Sequence, residues 1–159
     1  MIDDDWIAGF RDRRDDALRA NLRAVPGAVE AVHEIAESTG LPVACVSGAD
    51  RRKISMQLAM VGLDGLFGER VFSGMEVARG KPAPDVYLAA AAALGVDPAS
   101  AAVVEDSPAG VRAGLAAGAT VFGFAAEGPT YQSPGHLAGL GADHVFRSMS
   151  ELPGLLMGG

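Results

Sequence analysis

Val103-Val104-Glu105-Asp106-Ser107-Pro108-Ala109-Gly110-Val111-Arg112-Ala113-Gly114 is the stretch on which the reading of this chain turns. A short β-branched apolar run ends in two adjacent carboxylates, and a small-residue turn then opens a helix. Open α/β sheets bind their ligands beyond the carboxyl ends of the strands, where this acidic pair falls. Paired acids are costly to leave bare, and a hard cation such as Mg²⁺ is their natural partner. The plainer alternative is that Asp106 only caps the following helix, a task that Asp performs well.

Outward from this stretch, strands and helices alternate. Upstream, residues 11–24 read as a polar helix with a thin stripe of Leu18 and Leu22, and Pro26-Gly27 punctuates. Residues 28–38 form an amphipathic helix through Val29, Val32, Ile35 and Ala36, with Gly40 suited to its C-terminal cap. Leu41 to Val46 reads as a buried strand ending at Ser47-Gly48, and 51–62 as a helix with Ile54, Leu58 and Val61 facing the core. A short strand around Arg70–Ser73, a loop through Arg79 to Pro82 and an Ala-rich helix over 84–94 lead to a strand at 101–105. A helix near 109–117, a strand at Thr120–Phe124, a weaker one at His144–Phe146 and a short helix from Ser150 follow. This alternation predicts an α/β fold, a Rossmann-like parallel sheet covered on both faces.

Composition bounds the function. A chain of 159 residues, 49% hydrophobic and 21% charged, is long enough for one ordinary domain with a sizeable core. Its net charge of −7 speaks against nucleic acid as a general partner. The single cysteine, Cys45, excludes an internal disulfide and reads as a buried structural thiol in an apolar run. No stretch approaches the roughly 18 consecutive apolar residues of a membrane span. The acidic N-terminus, Met1-Ile2-Asp3-Asp4-Asp5-Trp6, has no signal-peptide layout, so a cytoplasmic location is the expectation.

Two further turns carry chemistry. Ser47-Gly48-Ala49-Asp50 offers a hydroxyl and free backbone N–H groups of the kind that cradle a phosphate, although such turns also serve simply as helix caps. In Gly80-Lys81-Pro82-Ala83-Pro84-Asp85 a lysine fixed between a glycine and a proline is placed to neutralise a phosphoryl group or pin a carboxylate. The bland reading of Lys81 is a solvated loop lysine. His33, His136 and His144 show no metal-ligand spacing. Trp6 and Phe10, four apart, read as packing on a helix face.

Together these motifs resemble the haloacid dehalogenase superfamily, in its β-phosphoglucomutase-like phosphatase branch. The matching residues are Val46-Ser47-Gly48, Gly80-Lys81-Pro82-Ala83-Pro84-Asp85-Val86-Tyr87, Val104 to Val111 and Ala116-Ala117-Gly118-Ala119, in order over about residues 25–150. The resemblance implies that Ser47, with the backbone of Gly48 and Ala49, holds the transferring phosphoryl group. It implies that Lys81 stabilises the charge of that group, and that Asp106, assisted by Glu105, ligates Mg²⁺. The implied function is Mg²⁺-dependent phosphoryl transfer, of phosphatase or phosphosugar mutase type, on a small phosphorylated metabolite.

One element of that family is missing. Its first strand ends in Asp-x-Asp-Gly-Thr, where the first aspartate is the nucleophile and the second the general acid/base. Asp3-Asp4-Asp5 has the spacing, but Met1-Ile2 is no strand and Trp6-Ile7 stands in place of Gly-Thr. The expectation is therefore a core lacking its first strand and most of its helical cap. Residues 1–24 are then a remnant of that cap, and residues 25–159 an incomplete α/β core. Such a chain is expected to turn over weakly or not at all, because nucleophile and acid/base act as a unit. The central slot would be closed by the remaining strands, filled by another chain, or left as the mark of a truncated sequence. The alternative function is a non-catalytic phosphate- or protein-binding relic of the fold. A receiver-like signalling domain would need a second acidic strand end, which this sequence does not offer.

Overall fold

The computed structural model describes residues 3–158, so the reading of Met1-Ile2 lies outside the described residues, as does Gly159. Helix α1 (Asp4–Asn21) leads into α2 (Ala28–Thr39), β1 (Cys45–Ser47), α3 (Arg51–Met60), α4 (Asp64–Phe67) and β2 (Val71–Ser73). Then follow α5 (Asp85–Leu94), β3 (Ala102–Glu105), α6 (Pro108–Ala117), β4 (Thr120–Phe124), α7 (Pro134–Gly139), β5 (His144–Phe146) and α8 (Leu152–Met157). The expected division near residue 24 falls in the irregular stretch between α1 and α2.

The helix ends follow from local chemistry. Asp50 accepts the Lys53 N–H at 2.9 Å and caps α3. Ser107 accepts the Gly110 N–H at 3.0 Å and caps α6, whose first residue is Pro108. Gly40 (φ 64°) ends α2 in the left-handed region, as its sequence position predicts.

Every strand pairing is parallel. Val46 of β1 lies opposite Phe72 of β2, and Val104 of β3 opposite Phe122 of β4, which in turn pairs with β5. The strands form two separate sheets, β1-β2 and β3-β4-β5, with no ladder between β1 and β3 among the described residues. Helices cover both faces. On one, Val86 and Tyr87 of α5 and Val111 and Ala113 of α6 pack with Val103, Val121 and Leu137, and Val46 and Phe72 of the first sheet join them. On the other, Val29 and Val32 of α2 join Ile54, Phe67 and Val71, while Ile35 of the same helix joins Phe122, Phe124, Phe146 and Leu152.

Several expectations need correction. Helix α1 begins at Asp4 rather than residue 11, because Asp3 accepts the Trp6 N–H at 2.8 Å and starts the helix earlier. Strand β1 is shorter than predicted, since Pro42 has no N–H to donate. The Val43 carbonyl takes the Arg70 guanidinium at 2.9 Å, and ladder bonding begins at the Cys45 N–H. Helices α4 and α7 are too short to show a periodicity and escape the sequence reading. Cys45 is half-buried rather than buried, and desolvation raises its thiol above the ordinary range. Trp6 and Phe10 stack on each other (centroids 5.6 Å apart) yet both stay half exposed on α1. Among the described residues no helix is long and apolar enough to cross a membrane.

Candidate active site

Two strand ends and one loop meet at a single cleft. Strand β1 ends in Ser47, and the Gly48-Ala49 turn leads into α3. Asp50 supplies the cap, so Ser47 is not the capping residue of α3. Its hydroxyl oxygen accepts the Ala49 N–H at 3.2 Å, and its carbonyl accepts the Gly74 N–H at 2.7 Å. Buried Ser73, at the end of β2, donates to the Ala49 carbonyl at 2.6 Å and accepts the Met75 N–H at 3.1 Å. The two turns are thereby locked to each other. A Cβ at Gly74 would stand 3.3 Å from the Gly48 Cα, so a side chain there would push the Ser47 turn away.

The loop that carries Lys81 is clamped at both sides. Arg51 of α3 grips Glu76 with contacts of 2.8 and 2.6 Å, and Arg79 grips Asp85 at the start of α5 with contacts of 3.2 and 2.8 Å. These bidentate bonds hold the Glu76 and Asp85 carboxyls below the ordinary carboxylate range. The Lys81–Pro82 peptide bond is cis. Lys81 is not a solvated loop lysine, for its side chain is only 14% exposed and its ammonium pairs with Glu105.

Glu105 is the most heavily bonded acid of the site. At 8% exposure, its Oε1 accepts from both the Lys81 Nζ and the Tyr87 hydroxyl. Its Oε2 accepts the Ser107 hydroxyl at 3.1 Å. The Lys81 Nζ also lies 4.8 Å from the centre of the Tyr87 ring. Burial first, and then the charge of Glu105, push the Tyr87 hydroxyl far above the ordinary phenol range, so it remains a protonated donor. A Cβ at Gly110 would overlap the Glu105 carboxylate, which lies against the first turn of α6. At Gly114, one turn further on, a Cβ would come within 2.9 Å of Val121 and 3.1 Å of Val103, so α6 packs close upon the sheet.

Asp106 is exposed and lines the cleft. It does not cap α6, a task that falls to Ser107. The cleft measures about 440 Å³. Ser47, Gly48, Lys81, Glu105, Asp106 and Ser107 line one part of it, while Val25, Val46, Val104, Phe124, Tyr131 and Met149 supply apolar wall. It thus runs between β1 and β3, where no ladder joins the two sheets. Asp3 and Asp5 are absent from its walls, and Asp3 spends its carboxylate on the cap of α1.

Among the described residues no group of three His, Cys, Asp or Glu side chains gathers to hold a metal. The donor set near the cleft is nonetheless of the right kind for Mg²⁺, which takes one or two protein carboxylates and completes its shell with water and phosphate. Asp106 fits this directly, whereas Glu105 already accepts from three donors. His144 is occupied elsewhere, stacked on Phe122 at 4.6 Å.

Sequence reading gave no role to Tyr87, Ser73, Ser107 or Gly110. Tyr87 stands six residues after Lys81, and Gly110 five after Glu105, but neither spacing announces a shared oxygen or a close approach. Only the packing of α5 and α6 against β3 brings them together.

Comparison with known proteins agrees with this geometry. The profile of haloacid dehalogenase-like hydrolases matches residues 3–118. A β-phosphoglucomutase from Mycobacterium bovis is 38% identical over 156 residues, covering 92% of this chain and 58% of the relative. Hexitol phosphatase A from Escherichia coli is 39% identical over 110 residues, covering 69% of this chain and 49% of the relative. The chain therefore spans about half the length of such curated relatives. A solved haloacid dehalogenase family hydrolase from Deinococcus radiodurans, with bound phosphate and sodium, superposes with a TM-score of 0.83 at 35% identity. That match covers 97% of this chain and 67% of its counterpart. With its parallel sheets, its strand-end acids and a profile match over most of its length, this chain belongs to the haloacid dehalogenase-like hydrolases.

Proposed function

We propose that the chain is the core of a Mg²⁺-dependent phosphoryl-transfer hydrolase, of phosphatase or phosphosugar mutase type, acting on a small phosphorylated metabolite in the cytoplasm. Residues 25–159 form that core, and residues 1–24 are a remnant of a helical cap. The observation that carries this reading is the meeting of Lys81, Glu105 and Asp106 with the Ser47 turn at one cleft.

Phosphoryl transfer asks the protein mainly for positioning and for cations against the phosphoryl oxygens. The Ser47 hydroxyl and the Gly48 N–H hold those oxygens, joined by the Ala49 N–H once it leaves the Ser47 oxygen. Lys81 neutralises the phosphoryl charge. Asp106, with Glu105 beside it, would hold Mg²⁺, which when bound draws negative charge from the phosphoryl oxygens.

The acids among the cleft-lining residues are Glu105 and Asp106, and both have other tasks. We therefore assign little turnover to this chain alone. The same observation favours a second reading, a non-catalytic phosphate- or protein-binding relic. Among the described residues no strand pairs with β1 or β3 on the cleft side, which also favours a further strand seated between them, supplied by another chain.

Calorimetry with inorganic phosphate and Mg²⁺ tests the site. Binding that Lys81→Ala strongly weakens supports it, and binding indifferent to that change overturns it. A phosphomonoester assay separates the two readings. The enzyme reading expects turnover to appear when a strand peptide ending in Asp-x-Asp-Gly-Thr is supplied in trans, and the relic reading expects none. Strong turnover by the chain alone, indifferent to Asp3→Asn and Asp5→Asn, would refute the account of the absent nucleophile.

A further inference from the structure

Lys81 and Tyr87 donate to the same oxygen of Glu105. A carboxylate oxygen has room for two donors, so one of them can leave while the other stays. Lys81 has a second anion within its remit, the phosphoryl group proposed above. An ammonium that moves from a buried carboxylate to a phosphate leaves that carboxylate bare unless another donor stays behind. Tyr87 is such a donor: its ring is fixed in the core of α5 and its hydroxyl reaches Oε1. Ser107 meanwhile holds Oε2, so Glu105 retains a bond on each oxygen after Lys81 departs.

We propose that Tyr87 is a positioning residue that holds Glu105 in place while Lys81 exchanges that carboxylate for the phosphoryl group of the ligand. This rests on the phosphate site proposed above. Tyr87 touches neither ligand nor metal; it sets how readily Lys81 is released. A tyrosine with a purely packing role would be replaceable by phenylalanine, which keeps the ring under the Lys81 ammonium and loses only the hydroxyl.

The test is calorimetric titration with inorganic phosphate in the presence of Mg²⁺, on the wild-type chain, Tyr87→Phe, Lys81→Ala and the double variant. Without its hydroxyl partner, Glu105 holds Lys81 more tightly, and phosphate affinity is expected to fall about tenfold or more, the scale of one hydrogen bond to a charged group. Because the effect travels through Lys81, adding Tyr87→Phe to Lys81→Ala is expected to change residual affinity by less than about twofold. Melting curves confirm that each variant is folded. Weakened binding in Lys81→Ala with unchanged affinity in Tyr87→Phe overturns the role of Tyr87 and leaves the phosphate site standing. Equal losses from Tyr87→Phe in both backgrounds overturn it too, since the effect then bypasses Lys81. Phosphate binding unaffected by Lys81→Ala removes the site itself, and this inference with it.

Discussion

Gly110→Ala is the sharpest perturbation the structure offers. Position 110 lies inside α6, where alanine is the better helix former by about 1 kcal/mol. Propensity alone therefore predicts a stabilised protein. The structure predicts the reverse, because the new Cβ would occupy the space of the Glu105 carboxylate. That carboxylate is the free end of a side chain and can swing away, so the cost is not steric overlap but the donors left behind. Glu105 is 8% exposed and accepts from Lys81, Tyr87 and Ser107. Hydrogen bonds to a charged group contribute roughly 1.5–3 kcal/mol each, and displacement loses the equivalent of about two of them. After the helix gain, the net loss comes to about 2–5 kcal/mol. Urea unfolding followed by far-ultraviolet circular dichroism measures it. Trp6 is unsuitable as the reporter, since it is half exposed on α1, away from the core. With a urea slope of about 2 kcal/mol/M, the midpoint is expected to drop by about 1–2.5 M. In a Glu105→Ala background the same substitution is expected to be neutral or slightly stabilising, because nothing then occupies the space. A loss of equal size in both backgrounds, or a gain in the wild-type background, would refute the reasoning.

Lys81→Met leaves Glu105 with Tyr87 and Ser107, so denaturant titration is expected to show a loss of about 2 kcal/mol, less than the roughly 3–5 kcal/mol of a fully orphaned buried charge. The hydrogen bonds of Arg14, Arg51 and Arg79 hold the carboxyls of Asp15, Glu76 and Asp85 below their ordinary range. Their folded values thus lie below the unfolded ones, so their stabilisation is complete above the unfolded values, near pH 4, and is lost as pH falls through the folded values. Urea midpoints measured against pH are expected to decline on that acid side, and Asp85→Asn to flatten the decline. An acid limb identical in the variant would count against the Arg79 clamp. Leu137, fully buried, packs so closely on Gly123 that a Cβ there would lie 3.2 Å from it, and Leu137→Ala is expected to cost about 2–5 kcal/mol in the same titration.

Much of this fold was legible because its signals are local. The strand at Thr120–Phe124, the cap at Gly40 and the alternation that demands parallel pairing all depend on residues within one turn or one strand. The site was legible as motifs but not as contacts. Ser47, Lys81 and Asp106 stand out by residue type and place, and all three line the cleft. That Asp50 and Ser107, and not Ser47 and Asp106, cap the following helices depends on backbone geometry, which composition does not reveal. The bonding of Glu105 was not legible either. Its partners lie 24 and 18 residues away in Lys81 and Tyr87, and tertiary packing alone makes them neighbours.

Among the described residues the separation of the two sheets is set by helices, with no strand between them. On one face α5 packs Val86 and Tyr87 into a cluster that includes Val103 and Val121 of the second sheet and draws in Val46 and Phe72 of the first. On the other face α2 sends Val29 and Val32 toward the first sheet and Ile35 toward the second. Two helices thus span the gap from opposite sides and fix its width through buried apolar contact. The ends of β1 and β3, and with them Ser47 and Asp106, are held in place before any ligand arrives. The ordering cost of the site is met in folding and need not be drawn from binding. Helix α5 has a double part in this. Its buried face joins the two sheets, and its first turn carries Tyr87 to Glu105, so the same packing that holds the cleft open also places the acid that holds Lys81.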